Sequence, residues 1–156
     1  MEGREPLMIK SWFALVALLW PLAAMADAKH AHAIGEPGDP AKAGRTVEVL
    51  MTDEMRFVPD RISVRKGETV RFVVKNVGAI KHEFVLGRPK DLVEHAKLMQ
   101  KHPDMEHDDP NGVGVEPGKT GELVWRFTKG GRIDFGCLHP GHFEAGMKGR
   151  IVFSDK

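Results

Sequence analysis

The sequence predicts an all-β fold, a sandwich of two sheets around one core, with one short helix inserted between strands. Three observations carry this. From Thr46 onward the chain is built of short segments rich in Val, Ile and Phe, separated by Gly, Pro, Asn and Asp. In the longer segments apolar and polar residues alternate, the period of a strand with one face buried. A single segment, Asp91 to Gln100, has helix-forming composition, an acidic first residue and a Pro shortly before it.

At 156 residues the chain has room for one domain and a tail. Residues 1–26 read as a secretory signal peptide. Ile9 to Leu22 is nearly all apolar, Arg4 and Lys10 supply positive charge ahead of that run, and Ala24-Met25-Ala26 offers the small-x-small pattern for cleavage near Ala26. The apolar run is shorter than the ~20 residues of a membrane span and is broken by Pro21, so no stable membrane insertion is expected after cleavage. The chain carries 23 Lys and Arg against 22 Asp and Glu, a formal charge of +1. Cleavage removes two residues of each sign, Arg4 and Lys10 with Glu2 and Glu5, and leaves that balance unchanged. A near-neutral chain implies no nucleic-acid partner. Residues 27–45 are rich in Ala, Gly, Pro and charge without apolar period, and are expected to form a flexible tail. His30 and His32 fall within it.

Residues 46–156 are expected to form the folded domain. Strands are expected at residues 46–51, 62–65, 69–76, 83–86, 122–128, 132–137 and 149–153. Val70, Phe72 and Val74 alternate with Arg71 and Lys75, and Leu123, Trp125 and Phe127 with Glu122 and Arg126. Such period-two faces describe an antiparallel sandwich with a shared core. Lys66-Gly67, Pro117-Gly118 and Gly130-Gly131 stand between strand patterns as turns. Trp125, the only Trp left after cleavage, is assigned to the core, as are Met51 and Met55.

The chemistry concentrates in Cys137-Leu138-His139-Pro140-Gly141-His142-Phe143-Glu144-Ala145-Gly146-Met147, which holds the only cysteine. Ile133, Phe135 and Cys137 share one face, so the period carries the sulfur inward at a strand end before Pro140-Gly141 turns the chain. Thiolate, imidazole and thioether are the soft and borderline donors that copper prefers, and a second imidazole completes a His2Cys site with a weak axial Met. His82 supplies that imidazole, at the point where one strand pattern has ended and a new apolar run begins. His142 is favoured over His139 as the loop ligand, because Cys137-x-His139 leaves the chain little room to close.

His82 together with Cys137-x4-His142-x4-Met147 resembles the type 1 copper site of cupredoxins, over roughly residues 46 to 156. The resemblance implies a Greek-key β-sandwich with copper as cofactor and His82, Cys137, His142 and Met147 as its ligands. It is nearest to the small periplasmic copper-tolerance cupredoxins, through the Met/His segment His95 to His107 and the Pro-Gly-His-x-Glu-Ala-Gly-Met ending. One position departs from the family pattern. Many cupredoxins place an Asn after the first ligand His, and its side chain ties the two ligand loops together, whereas Glu83 stands here.

A second group of soft donors lies in the inserted segment. His95 and Met99 are spaced i, i+4, His102 would share their face if the helix ran on, and Met105 and His107 follow. These five residues form a candidate auxiliary copper site; a solvated acidic loop with Met99 packed inward is the alternative. The expected function is exported, periplasmic copper binding in copper tolerance, with copper ions and a redox or copper-handling protein as partners. The alternative is a mobile electron carrier with a single copper. No arrangement of nucleophile and base is legible, and no enzyme is expected.

Overall fold

In a computed structural model, residues 33–105 and 108–154 are described. The expected signal peptide, His30, His32 and His107 lie outside the described residues. In chain order the elements are β1 (Glu36–Pro37), a 3-10 turn (Pro40–Lys42), β2 (Arg45–Thr52), β3 (Arg56–Val58), β4 (Arg61–Val64), β5 (Thr69–Asn76), β6 (His82–Gly87), α1 (Pro89–Lys101), β7 (Gly112–Val115), β8 (Thr120–Arg126), β9 (Ile133–Gly136) and β10 (Lys148–Phe153).

They build two five-stranded sheets, β1-β8-β5-β2-β3 and β4-β10-β9-β6-β7, so the expected sandwich is borne out. Its pairing is not purely antiparallel, as alternation had suggested. β2 runs parallel to β5, and β4 parallel to β10. The chain leaves the first sheet after β3 for β4 in the second and returns as β5, and a strand reached by such a crossover lies parallel to its neighbour. Period two reports which face is buried and is silent on strand direction.

Three strands went unread for local reasons. β7 carries two glycines and no polar alternation, β3 has three residues, and β1 has two, one of them Pro. The assignment of residues 27–45 to a flexible tail needs correction for its described part. Ile34 is fully buried in the core and β1 pairs with β8. A Cβ on Gly35, whose φ is +146°, would lie 2.2 Å from the Arg126 carbonyl oxygen. A lone apolar residue beside a glycine has no period to read, and the close approach of backbones holds this segment down.

Between the sheets lie Phe57 and Phe72 from one side and Phe84 and Phe135 from the other. Phe135 meets Phe84 with ring centroids 4.9 Å apart and Phe57 edge-on at 5.2 Å. Phe72 reaches Phe84 at 5.2 Å. Trp125 is fully buried beside them, as are Met51, Cys137 and Met147. A smaller apolar cluster lies on the outer face of the second sheet, where Leu92, Ala96 and Met99 of α1 pack with Val85 and Leu138, and with the partly buried Phe143. Those helix residues recur at about one turn, the spacing of one helical face. The helix therefore rests on two residues of the segment that follows Cys137.

Phe135 joins the sheets two residues before Cys137, and its removal should be felt in both. Phe135→Ala should destabilise the metal-free protein by about 3–5 kcal/mol, as emptied aromatic sites in cores do. Urea unfolding checks this, and a loss below about 1 kcal/mol would show that the ring is not part of the shared core.

Candidate metal centre

Two loops at one end of the sandwich bring the donors together. The first runs from the end of β5 to His82. Asn76, itself buried, donates through its side-chain amide to the carbonyls of Ile80 at 2.8 Å and Val115 at 2.9 Å, and its oxygen accepts from the N–H of Gly78 at 3.0 Å. One side chain thus fixes both sides of the turn. β6 begins at His82, opposite Val115 of β7, with the imidazole fully buried.

Asp53, on the turn between β2 and β3, aims that ring. One carboxylate oxygen accepts from the N–H of Ala79 at 2.7 Å, and the other lies 3.0 Å from Nε2 of His82. The Ala79 N–H, then His82, hold the carboxyl below its ordinary range, so it is an ionised acceptor at neutral pH and Nε2 must carry the donated hydrogen. In the neutral imidazole Nδ1 then bears the free lone pair. That atom is buried and has no hydrogen-bond partner. An orphaned buried acceptor costs about 1–3 kcal/mol, and a metal ion would satisfy it. Gly78 permits the approach, since a Cβ there would fall 1.9 Å from Asp53 Oδ1.

The second loop follows β9. Cys137 donates its N–H to the carbonyl of Met147 at 3.1 Å, which closes the loop on itself. Inside it, His142 bonds back to His139, Ala145 to Gly141, Gly146 to Phe143 and Met147 to His142. Gly141 and Gly146 have φ of +85° and +101°, where a side chain would be strained. The tight winding returns Nδ1 of His142 to 3.3 Å from Sγ of Cys137. Phe143 packs over the backbone of Gly136, where a Cβ would meet its ring at 2.8 Å.

One donor atom each from His82, Cys137 and His142 lie within 4.8 Å of one another. His139 stands outside this group, its ring centroid 5.6 Å from that of His142. Met147 is fully buried in the cluster that includes Cys137. Burial pushes the Cys137 thiol up to about 12, and burial followed by the nearby His82 and His139 holds His142 below its ordinary value. At neutral pH the site thus presents a thiol and a neutral imidazole. A cation that binds here must displace the thiol proton, so its affinity falls as pH falls. Thiolate with two imidazoles is a donor set suited to copper.

The departure at Glu83 does not cost the link between the loops. Glu83 Oε1 accepts from the N–H of Leu138 at 2.7 Å, tying the residue after one ligand to the residue after another. A carboxylate takes the amide hydrogen as readily as a carboxamide oxygen. Asp53 and Asn76 were also unread in the sequence. An Asn at a strand end and an Asp in a turn are common, and only the fold brings them within reach of His82.

The four described residues of the auxiliary group, His95, Met99, His102 and Met105, do not gather at one point. α1 ends at Lys101, and His102 is its exposed C-cap, with φ −133°, so it leaves the face shared by His95 and Met99. His95 lines a cleft with Asp91, Glu94 and Asp109. Met99 and Met105 line another, together with His139. No helix among the described residues is long and apolar enough to cross a membrane.

Comparison with known proteins agrees with this geometry. A family described as copper binding proteins, plastocyanin/azurin family, matches residues 45–154. The chain is 52% identical over 151 residues to the copper-resistant cuproprotein CopI of Rubrivivax gelatinosus, covering 88% of this chain and 92% of that one. It is 39% identical over 167 residues to CopI of Pseudomonas aeruginosa, again covering 88% and 92%. Among solved structures, auracyanin B superposes with a TM-score of 0.63 at 24% identity, over 77% of this chain and 96% of its own, a likeness of fold.

If Asp53 aims His82, its loss should weaken the centre without unfolding the sandwich. Asp53→Ala should lower copper affinity by about 10–100-fold, the usual cost of losing a carboxylate behind a ligating His. Competition with a chelator measures it; an unchanged affinity would show that packing alone orients the ring.

Proposed function

Because the chain belongs to the plastocyanin/azurin family of copper-binding proteins, we propose that it is an exported, periplasmic copper-tolerance protein that holds copper in a type 1 centre. His82, Cys137 and His142 are the strong ligands of this proposal and Met147 the weak axial one. The observation that supports it most is the buried Nδ1 of His82, left without a partner and grouped with Cys137 and His142.

Copper bound here supplies a one-electron couple. The residues around it do the rest. Asp53 keeps the His82 lone pair turned inward, Glu83 holds the two loops in register, and the burial of Cys137 and Met147 keeps water from the sulfur atoms. A frame fixed before the metal arrives leaves little to rearrange when charge changes by one electron. The tolerance role rests on the two CopI relatives, each named a copper-resistant cuproprotein. An electron carrier would use the same centre, and differs in needing no second copper. Binding, rather than catalysis, is the activity proposed.

Cys137→Ser should abolish the thiolate-to-copper charge-transfer absorption while the protein stays folded. Met147→Leu should keep the colour and shift the reduction potential, since the axial bond is weak. In a copper-sensitive bacterium, export of the wild-type chain should raise the copper concentration that permits growth, and export of Cys137→Ser should raise it less. An unchanged spectrum in Cys137→Ser would contradict the type 1 assignment, and equal protection by both chains would contradict its role in tolerance.

A further inference from the structure

We infer that the outer face of the second sheet, across β4, β10 and β9, docks a protein partner through an acidic segment of that partner. The inference lies outside the metal centre and rests on the proposed function only for what the partner does. Ile62, Ile133 and Ile151 are buried in the core, so the strand period turns their neighbours Arg61, Arg132 and Arg150 outward, and Lys148 with them. Register then brings these cations together. Arg150 stands opposite Arg61 on one side and Asp134 on the other. The four cations border one cleft of about 210 Å³, together with the carboxylates of Asp60 and Asp134.

Like charges that face each other across strands repel, and the carboxylates on this face do not offset them all. Asp134 serves two guanidiniums, with Oδ2 3.2 Å from Arg132 and Oδ1 3.5 Å from Arg150. Arg61 and Lys148 form no ion pair among the described residues. A carboxylate brought from outside would relieve that repulsion. Three of the four cations are Arg, whose planar fork takes a carboxylate through two parallel hydrogen bonds. Acidic side chains of a protein meet that geometry, whereas a membrane surface calls for aromatic or large apolar side chains that insert beside the charges. On β4, β9 and β10 the exposed large apolar residue is Val152 alone, 38% exposed, enough for one contact with a docked segment. The face also adjoins the ligand loop. Lys148 follows Met147, and its ammonium lies over the Phe143 ring, 5.0 Å from the centroid. Phe143 in turn packs over Gly136, the residue before Cys137. A partner held here sits beside the proposed copper centre, which suits a protein that exchanges copper or an electron with it.

The test follows the amide NMR signals of the purified mature protein, loaded with Cu(I), as a short peptide of alternating Asp and Gly is added at low ionic strength. The signals of Arg61, Arg132, Lys148 and Arg150 should shift, and added salt should weaken the binding. Arg61→Glu/Lys148→Glu should lower the affinity by about tenfold or more, and it spares the arginines that pair with Asp134. Lys66→Glu/Lys129→Glu changes the net charge equally on exposed turns that do not line the cleft, and should lower the affinity by less than about threefold. All three proteins should show the type 1 absorption after oxidation, the sign of an intact ligand loop. Equal losses in the two variants, or shifts confined to other residues, would reduce the binding to net charge and overturn the docking face. Absence of binding by the wild type would overturn it too, as would binding to phosphatidylglycerol vesicles without binding to the peptide. Peptide binding as expected by a wild-type protein that shows no type 1 colour would overturn the proposed function and uphold the face.

Discussion

The hydrogen bond from the Leu138 N–H to Glu83 Oε1 holds the two ligand-bearing loops in one frame. His82 and Cys137 stand 55 positions apart in sequence, and each is anchored to its own strand of the second sheet. β6 and β9 are hydrogen-bonded neighbours, so the sheet sets the coarse distance between them. Beyond the paired register the strands no longer constrain each other, and Glu83 takes over. The same loop is pinned from outside by α1, through Leu138 and Phe143. It is also held from the first sheet, where Arg56 donates to the carbonyl of Ala145 at 3.4 Å. The positions of the donors are thus set by contacts within the chain.

Preorganisation has an electrostatic side. A buried thiol pushed up to about 12 is inert as an acid at neutral pH, which keeps a lone cysteine unreactive until a metal displaces its proton. His142, held below its ordinary value by burial and then by the nearby His82 and His139, is neutral and able to coordinate at neutral pH. Asp53 completes the arrangement by fixing the His82 tautomer. Burial keeps the proton off His142, and the Asp53 carboxylate leaves Nδ1 of His82 turned toward the same space.

Much of this was legible in the sequence because it depends on residue type and short spacing. The alternation in β5 and β8 gave the sandwich, and Cys137, His142 and Met147 announced a soft-donor loop. What could not be read depends on contacts between distant segments. β1 and Ile34 are held by backbone contact with β8. The parallel pairs follow from where the chain crosses between sheets. Asp53, Asn76 and Glu83 look like ordinary polar residues until the fold places them around His82 and Leu138. Helical spacing grouped His95 with Met99, but the end of α1 at Lys101 and the packing of its buried face set Met99 with Met105 and His139 instead.

The central claim is that His82, Cys137 and His142 together bind copper. X-ray absorption at the copper edge, on the protein loaded with one equivalent of Cu(II), tests it most directly. The account predicts one short copper–sulfur distance and two imidazole nitrogens, with the sulfur distance lost in Cys137→Ser and one nitrogen lost in His82→Ala. A shell of nitrogen and oxygen alone in the wild-type protein, or one unchanged by these substitutions, would contradict it.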